Sequence, residues 1–245
     1  MSKTVILIPS RLSAKRLPGK PLLKINGVSI ISHVFKKAKE ADIGEVYVAT
    51  EDKEILNDVH SNGGKAILTS NKHKTGSDRI FECYEKLNLK NIDYIINLQG
   101  DEPSIDINDL RHLNKLININ KTEIGTLAAE INDLSKTNNE NIVKVITDNK
   151  ITNENFTFAI DFKRKVDNLN LNIYHHLGVY AYKPEVLKKL IKFKQTDNEI
   201  KNRLEQLRAI ENGIKINVGL AKFCPIGVDT MEDYLALKKK LEYNS

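Results

Sequence analysis

The 245 residues contain no tryptophan, two cysteines, two methionines and only 6% aromatic residues. Cys83 and Cys224 are far apart and form no C-x-x-C. That excludes a disulfide framework and a thiolate zinc site, and a reduced cytoplasmic compartment is expected. No apolar run follows Lys3 at the length of a signal peptide's core, and no run anywhere approaches the roughly 18 residues needed to span a bilayer. The chain is therefore expected to be soluble, unprocessed and without a membrane partner. The net charge of +6, from 38 basic and 32 acidic residues, suits an anionic ligand. With so few aromatics there is no aromatic and basic interleaving on one face and no recognisable RNA or DNA module, so a nucleic-acid partner is not expected. Also missing are internal repeats, a G-x-G-x-x-G and the G-K-[ST] ending of a P-loop.

What is present is an alternation of short β-branched runs and amphipathic stretches. Val5–Ile8, Glu45–Ala49, Lys65–Leu68 and Tyr94–Leu98 read as strands, and Ile30–Ala41, Glu51–Asn62, Ser77–Leu87 and Ile107–Ile117 as helices. This predicts an α/β fold, a parallel sheet with helices on both faces and ligands at the carboxyl ends of the strands. In the second half, Gly125–Ile131, Val143–Ile146, Asn155–Ile160, Leu177–Ala181 and Ile214–Leu220 read as strands, some of them antiparallel. Pro184–Ile191 and Asn198–Glu211 read as helices, and a last helix starts at Thr230, capped by its hydroxyl and Asp233. Asn132–Asn141, polar and rich in asparagine, reads as a loop too short to link domains.

Three segments carry chemistry. The first strand empties into "IPSRLSAKRLPGKPL", where Arg11, Lys15, Arg16 and Lys20 meet Gly19 and three prolines, Pro9, Pro18 and Pro21, that restrict the backbone. Such a loop offers fixed positive charge and close backbone approach to an oxyanion. "NLQGDEP" ends the fourth strand with Asp101 and Glu102, and a carboxylate there can hold Mg²⁺ against substrate phosphates. A third carboxylate, Asp229, stands in "GVDT".

In order along the chain, "IPSRLSAKRLPGKPL", "VATED" (48–52), "TGSDR" (75–79), "NLQGDEP" (97–103), "HLGVYAY" (176–182), "LEQLR" (204–208) and "VDTMEDY" (228–234) resemble the 3-deoxy-manno-octulosonate (Kdo) cytidylyltransferases. The resemblance implies a single-domain, three-layer nucleotidyltransferase fold with a mixed, mostly parallel sheet and a smaller antiparallel subregion. Its nucleotide-binding part would span about 1–120, its sugar-binding and dimerisation part about 121–220, and its C-terminal helix 230–243. It implies transfer of CMP from CTP to an acidic eight-carbon sugar with Mg²⁺ as cofactor, serving lipopolysaccharide synthesis in a cytoplasmic homodimer.

Carried over, Arg11 and Lys20 would hold the triphosphate, and Asp101 and Asp229 would bind the metal; these four would be the catalytic residues. Pro9, Ser13, Thr50, Gly76, Ser77, Arg79 and Gln99 would complete the nucleotide site, with Ser77 or Asp78 also capping a helix. Gln99, His176, Glu205 and Gln206 would face the sugar, the last two from a helix. The remaining histidines, among them His33, His60, His73 and His175, are expected to be surface or packing residues, and the cysteines small buried ones. The chain departs from the family pattern in three places. Ala14 and Lys15 stand where a serine and a threonine are usual, and Glu51 where an aspartate is. Aligned without a gap, Phe158 stands where an arginine helps bind the sugar's acid end. That last change leaves two expectations: that Lys163, Arg164, Lys165 or His175 replaces the arginine as partner for the sugar carboxylate, or that the enzyme is a cytidylyltransferase for another acidic sugar, 8-amino-Kdo or a sialic-acid-like one.

Overall fold

The computed structural model describes residues 3–13, 16–133, 137–166, 171–222, 224–225 and 227–243. Ala14 and Lys15 of the basic loop, and part of the asparagine-rich stretch, lie outside them. The chain forms two compact units, one of residues 1–110 with 225–245 and the other of 111–224.

The first unit begins with β1 (Thr4–Ser10), whose Val5, Ile6, Leu7 and Ile8 are wholly buried, as a strand covered on both faces requires. A short helical turn at Lys20–Leu22 leads into a hairpin, β2 (Lys24–Ile25) and β3 (Val28–Ser29), joined by Asn26 and Gly27, both at positive φ. Asn-Gly is the pair that such a turn favours, a signal present in the sequence and not read from it. Then come α1 (Ile30–Glu40), β4 (Gly44–Thr50), α2 (Lys53–Ser61), β5 (Ala66–Leu68), α3 (Gly76–Leu87) and β6 (Tyr94–Asn97). The strands lie in the order β5-β4-β1-β6, all parallel, so Ser10 and Thr50 end side by side and the loops that follow share one edge.

Two helix starts differ from expectation. α2 was expected from Glu51 but begins at Lys53, because the carboxylates of Glu51 and Asp52 bond elsewhere, to Arg79 and to the Leu12 amide. α3 is capped by Thr75 rather than Ser77 or Asp78; Thr75 and Asp78 form a reciprocal capping box.

α4 (Ile107–Asn120) leads to the second unit's β7 (Ile124–Glu130), β8 (Lys144–Thr147), β9 (Thr157–Lys163), β10 (Asn172–Tyr182), α5 (Pro184–Leu190), α6 (Asp197–Asn202), α7 (Leu207–Glu211) and β11 (Ile216–Leu220). Here the order is β10-β7-β11-β9-β8, antiparallel except for β11 with β7, and β8 pairs a second time with the start of β10. Lys144 is fully buried, its ammonium held by the carbonyls of Asn139, Ile142 and Arg164.

The helix expected over 198–211 is two helices. Arg203 takes a left-handed φ of 54°, and Arg208 returns to give Glu199 a two-pronged ion pair, with Nε 2.7 Å from Oε2. In an unbroken helix these two residues would be about 13 Å apart along the axis, so the pair requires the break.

The chain then rejoins the first unit. Val228, Tyr234 and Leu237 bury against Leu17, Ile25 and Ile30, and the last helix, α8 (Met231–Tyr243), is started as expected by Thr230. The Thr230 hydroxyl accepts from the Asp233 amide at 3.1 Å, and the Asp233 carboxylate accepts from the Thr230 amide at 2.9 Å. Thr230→Ala is expected to cost about 1 kcal/mol. At this chain length that is a fall of about 2–4 °C in the unfolding midpoint, read by calorimetry.

Candidate active site

The carboxyl edge of the first unit's sheet carries a cleft of about 380 Å³. One wall is the basic loop after β1, which is held from behind by Asp52, whose Oδ2 accepts from the Leu12 amide at 2.7 Å. The loop closes where the Gly19 amide donates to the Leu12 carbonyl at 2.9 Å, with Gly19 at φ 73°, a conformation costly for any residue with a Cβ. This turn aims Lys20 inward. Its ammonium lies 2.5 Å from Asp101 Oδ2, 2.9 Å from the Val228 carbonyl and 3.3 Å from Asp229 Oδ1. Arg16 reaches the same Asp229 oxygen at 2.9 Å.

Asp101 and Asp229, 128 residues apart in sequence, are brought together because the Val228 amide donates to the Asp101 carbonyl at 2.9 Å. Gly100 permits the turn between β6 and Asp101: a Cβ there would stand 2.9 Å from the Pro9 carbonyl and 3.1 Å from Ile31. Next to them Glu102 has one carboxylate oxygen buried with no hydrogen-bond partner among the described residues. Burial first, then the charges of Asp101 and Asp229, push its carboxyl up to about 8.

The opposite wall is the segment before α3, where His73, Lys74, Thr75, Gly76 and Arg79 line the cleft. Arg79 is buried, and its guanidinium bonds Glu51, the Thr69 hydroxyl at 2.8 Å and the Ser70 carbonyl at 3.4 Å. His73 pairs with Glu82, which also takes the Ser70 amide at 2.8 Å and Lys86 at 2.7 Å. His73 and Lys74 are lining residues that sequence reading missed. His73, expected at the surface or in packing, stands three residues before Gly76 and lines the cleft with it.

Of the residues expected at the nucleotide, Pro9, Arg11, Lys20, Gly76, Arg79, Gln99, Asp101 and Asp229 line this one cleft. Ser13, Thr50 and Ser77 are not among its lining residues; Thr50 is buried and accepts from the Asp52 amide at 3.1 Å. Ser10, also lining the cleft, has a buried hydroxyl without a partner among the described residues.

The residues expected at the sugar, apart from Gln99, belong to the second unit. His176 is buried, its Nε2 3.1 Å from the Thr126 hydroxyl, and burial draws its pKa down to about 3, so it acts as a neutral hydrogen-bonding group. Phe162 meets it edge-on at 5.0 Å and Tyr180 at 5.2 Å between ring centres. The Tyr180 hydroxyl is buried without a partner among the described residues, and burial first, then the neighbouring Tyr182 and Glu205, raise its pKa. Glu205 and Gln206 lie not within a helix but in the turn joining α6 and α7, a correction imposed by the break at Arg203.

Phe158 is half-exposed under the Lys215 ammonium, 4.9 Å above its ring, whereas Phe162, four residues along the same strand, meets His176. Arg164 is committed to the carbonyls of Asn202, Arg203 and Glu140, and Lys163 pairs with Asp161 at 3.3 Å. Of the cysteines, Cys83 is buried and its thiol is pushed up to about 12 by burial, while Cys224 is only partly buried, unlike the expectation for both.

A parallel sheet whose carboxyl edge gathers a ring of cations around two facing carboxylates is the arrangement of a nucleotidyltransferase. The family model described as a cytidylyltransferase matches residues 5–216. A 3-deoxy-manno-octulosonate cytidylyltransferase of Thermodesulfovibrio yellowstonii is 41% identical over 249 residues, covering 97% of this chain and 98% of its own. One of Nitrobacter winogradskyi is 40% identical over 233 residues, covering 95% and 91%. A solved structure of CMP:2-keto-3-deoxy-manno-octonic acid synthetase complexed with CTP matches the whole of both chains at a TM-score of 0.89 and 33% identity. The chain belongs to the 3-deoxy-manno-octulosonate cytidylyltransferase family.

Proposed function

We propose that the protein transfers CMP from CTP to the anomeric hydroxyl of Kdo, releasing pyrophosphate and giving CMP-Kdo for lipopolysaccharide synthesis. The observation that carries the reading is the convergence of Lys20, Asp101 and Asp229 in a cation-lined cleft, in a chain alike over its full length to enzymes of that name. In this reaction the sugar hydroxyl attacks the α-phosphorus as the bond to the departing pyrophosphate breaks, so positioning and charge neutralisation supply most of the acceleration. Lys20, held on three sides, keeps a point charge at a defined place beside the phosphates. His176, uncharged, offers a hydrogen bond to a sugar hydroxyl without the cost of a buried charge.

The residues fit a small oxygen-seeking cation. Asp101 and Asp229 converge in the cleft, and the buried Glu102 oxygen beside them has no donor among the described residues. Asp101 and Asp229 would hold Mg²⁺, which needs only one or two protein carboxylates beside phosphate oxygens. When bound it would neutralise charge on the triphosphate and lower the pKa of a coordinated hydroxyl. A homodimer in a reducing cytoplasm belongs to the same reading. Cys83, a buried free thiol, supports the compartment, and sedimentation at micromolar concentration tests the dimer.

Phe158, in place of a carboxylate-binding arginine, favours a second reading in which the acidic sugar is 8-amino-Kdo or sialic-acid-like. Incubation with each nucleoside triphosphate, Mg²⁺ and each sugar in turn, following pyrophosphate release, separates them. The expected result is release with CTP and Kdo, at least about tenfold faster than with UTP, ATP or GTP. Turnover of the amino sugar alone transfers the assignment to the second reading, and release with no acidic sugar overturns both.

A further inference from the structure

Five lysine and arginine side chains line the first unit's cleft, and three are already engaged. Lys20 is bonded to Asp101 and Asp229, Arg16 to Asp229, and Arg79 to Glu51 and two oxygens of the 69–70 segment. Arg11 and Lys74 have no hydrogen-bond or ion-pair partner among the described residues. They stand on opposite walls, Arg11 just past β1 and Lys74 just before the N-cap of α3.

Lys74 is exposed, yet its backbone is well placed. The segment before it is fastened to α3 at Glu82, which receives the Ser70 amide and pairs with His73 and Lys86. The residue after it, Thr75, is fixed by the capping box with Asp78. Lys74 is thus held between two anchors at the N-terminus of a 12-residue helix, where unpaired amides and the helix dipole already favour an anion. The adjoining Ser10 hydroxyl, buried and without a partner among the described residues, is a further donor awaiting an acceptor.

We propose that Lys74 binds the β- and γ-phosphates of the nucleotide, the pair that departs as pyrophosphate, opposite Arg11. This rests on the CTP reading above and assigns the leaving group a third cation besides Arg11 and Lys20. A lysine suits that task as a compact charge on a flexible stem, able to follow a group that must leave. Removing it takes away one charge-assisted contact to the two outer phosphates and none to the α-phosphate.

The test is calorimetric titration of CTP, CMP and inorganic pyrophosphate, each with Mg²⁺, into wild type, Lys74→Gln and Lys74→Arg, with thermal unfolding of each. Expected for Lys74→Gln is about tenfold weaker binding of CTP and of pyrophosphate. CMP should stay within twofold, Lys74→Arg close to wild type and the unfolding midpoint unchanged. Equal binding of CTP and pyrophosphate by wild type and Lys74→Gln overturns the proposal, as does a loss as large for CMP as for CTP. UTP titrated into wild type tests the nucleotide reading separately: UTP binding as tightly as CTP overturns that reading, while the pyrophosphate result still decides on Lys74.

Discussion

Asp101→Asn is expected to lower turnover at least about a hundredfold, roughly 2.7 kcal/mol in the barrier, while leaving the fold intact. The amide has the carboxylate's shape but no charge, and the residue sits in a partly exposed turn after β6, outside regular structure. Lys20 keeps its bonds to the Val228 carbonyl and to Asp229, so the loop has no reason to move. What disappears is one of the two carboxylates that face each other across the ammonium, and with it much of the site's capacity for a divalent ion. Pyrophosphate release and a thermal melt, taken on the same sample, separate chemistry from folding. Near-normal turnover in folded Asp101→Asn would remove Asp101 from the catalytic set.

The largest effect on stability is expected at Glu199→Ala, a loss of about 3–5 kcal/mol, because a buried guanidinium loses its carboxylate. Both partners are 3% exposed, and the pair is joined by two bonds. For a chain of this length the unfolding midpoint should fall by roughly 6–20 °C. Glu199→Leu combined with Arg208→Leu should recover most of that loss, since no charge is then left without a partner. A midpoint shift below about 2 °C for Glu199→Ala would mean that the pair does not hold α6 against α7.

These two sites also mark where sequence reading succeeded and where it stopped. β1 was legible because Val5 to Ile8 is a short, mostly β-branched apolar run stopped by Pro9, which favours a strand covered on both faces over a helix. Asp101 was legible as a carboxylate that follows such a strand, and Asp229 as a third carboxylate in "GVDT"; their juxtaposition depends on the bond from Val228 to Asp101, which no spacing encodes. The helical periodicity from Asn198 to Glu211 was real, but it could not announce that Arg208 would fold back onto Glu199. Periodicity records which faces are apolar, whereas this break is set by one ion pair across nine residues. Glu51 and Asp52 misled for a related reason. Acidic residues suit a helix's first turn, and nothing local shows that their carboxylates are taken by Arg79 and Leu12. His73 reads as a surface or packing residue because a lone histidine in a polar loop has no signature of its own; only its place just before the Gly76 motif points to the cleft.

The return of the chain's last stretch to the first unit has a consequence for synthesis on the ribosome. Leu17, Ile25 and Ile30 are covered by Val228, Tyr234 and Leu237, and the whole of the second unit is made in between. At ~5–20 residues per second, that apolar surface waits roughly 10–40 seconds for its cover. During that time the nascent chain exposes a sticky patch of the sort chaperones bind, and Lys20 has Asp101 but not Asp229. In the proposed reaction, which uses Asp229, competence arrives only after residue 229 has been made, so a fragment that stops short of it is expected to be inert rather than to consume CTP.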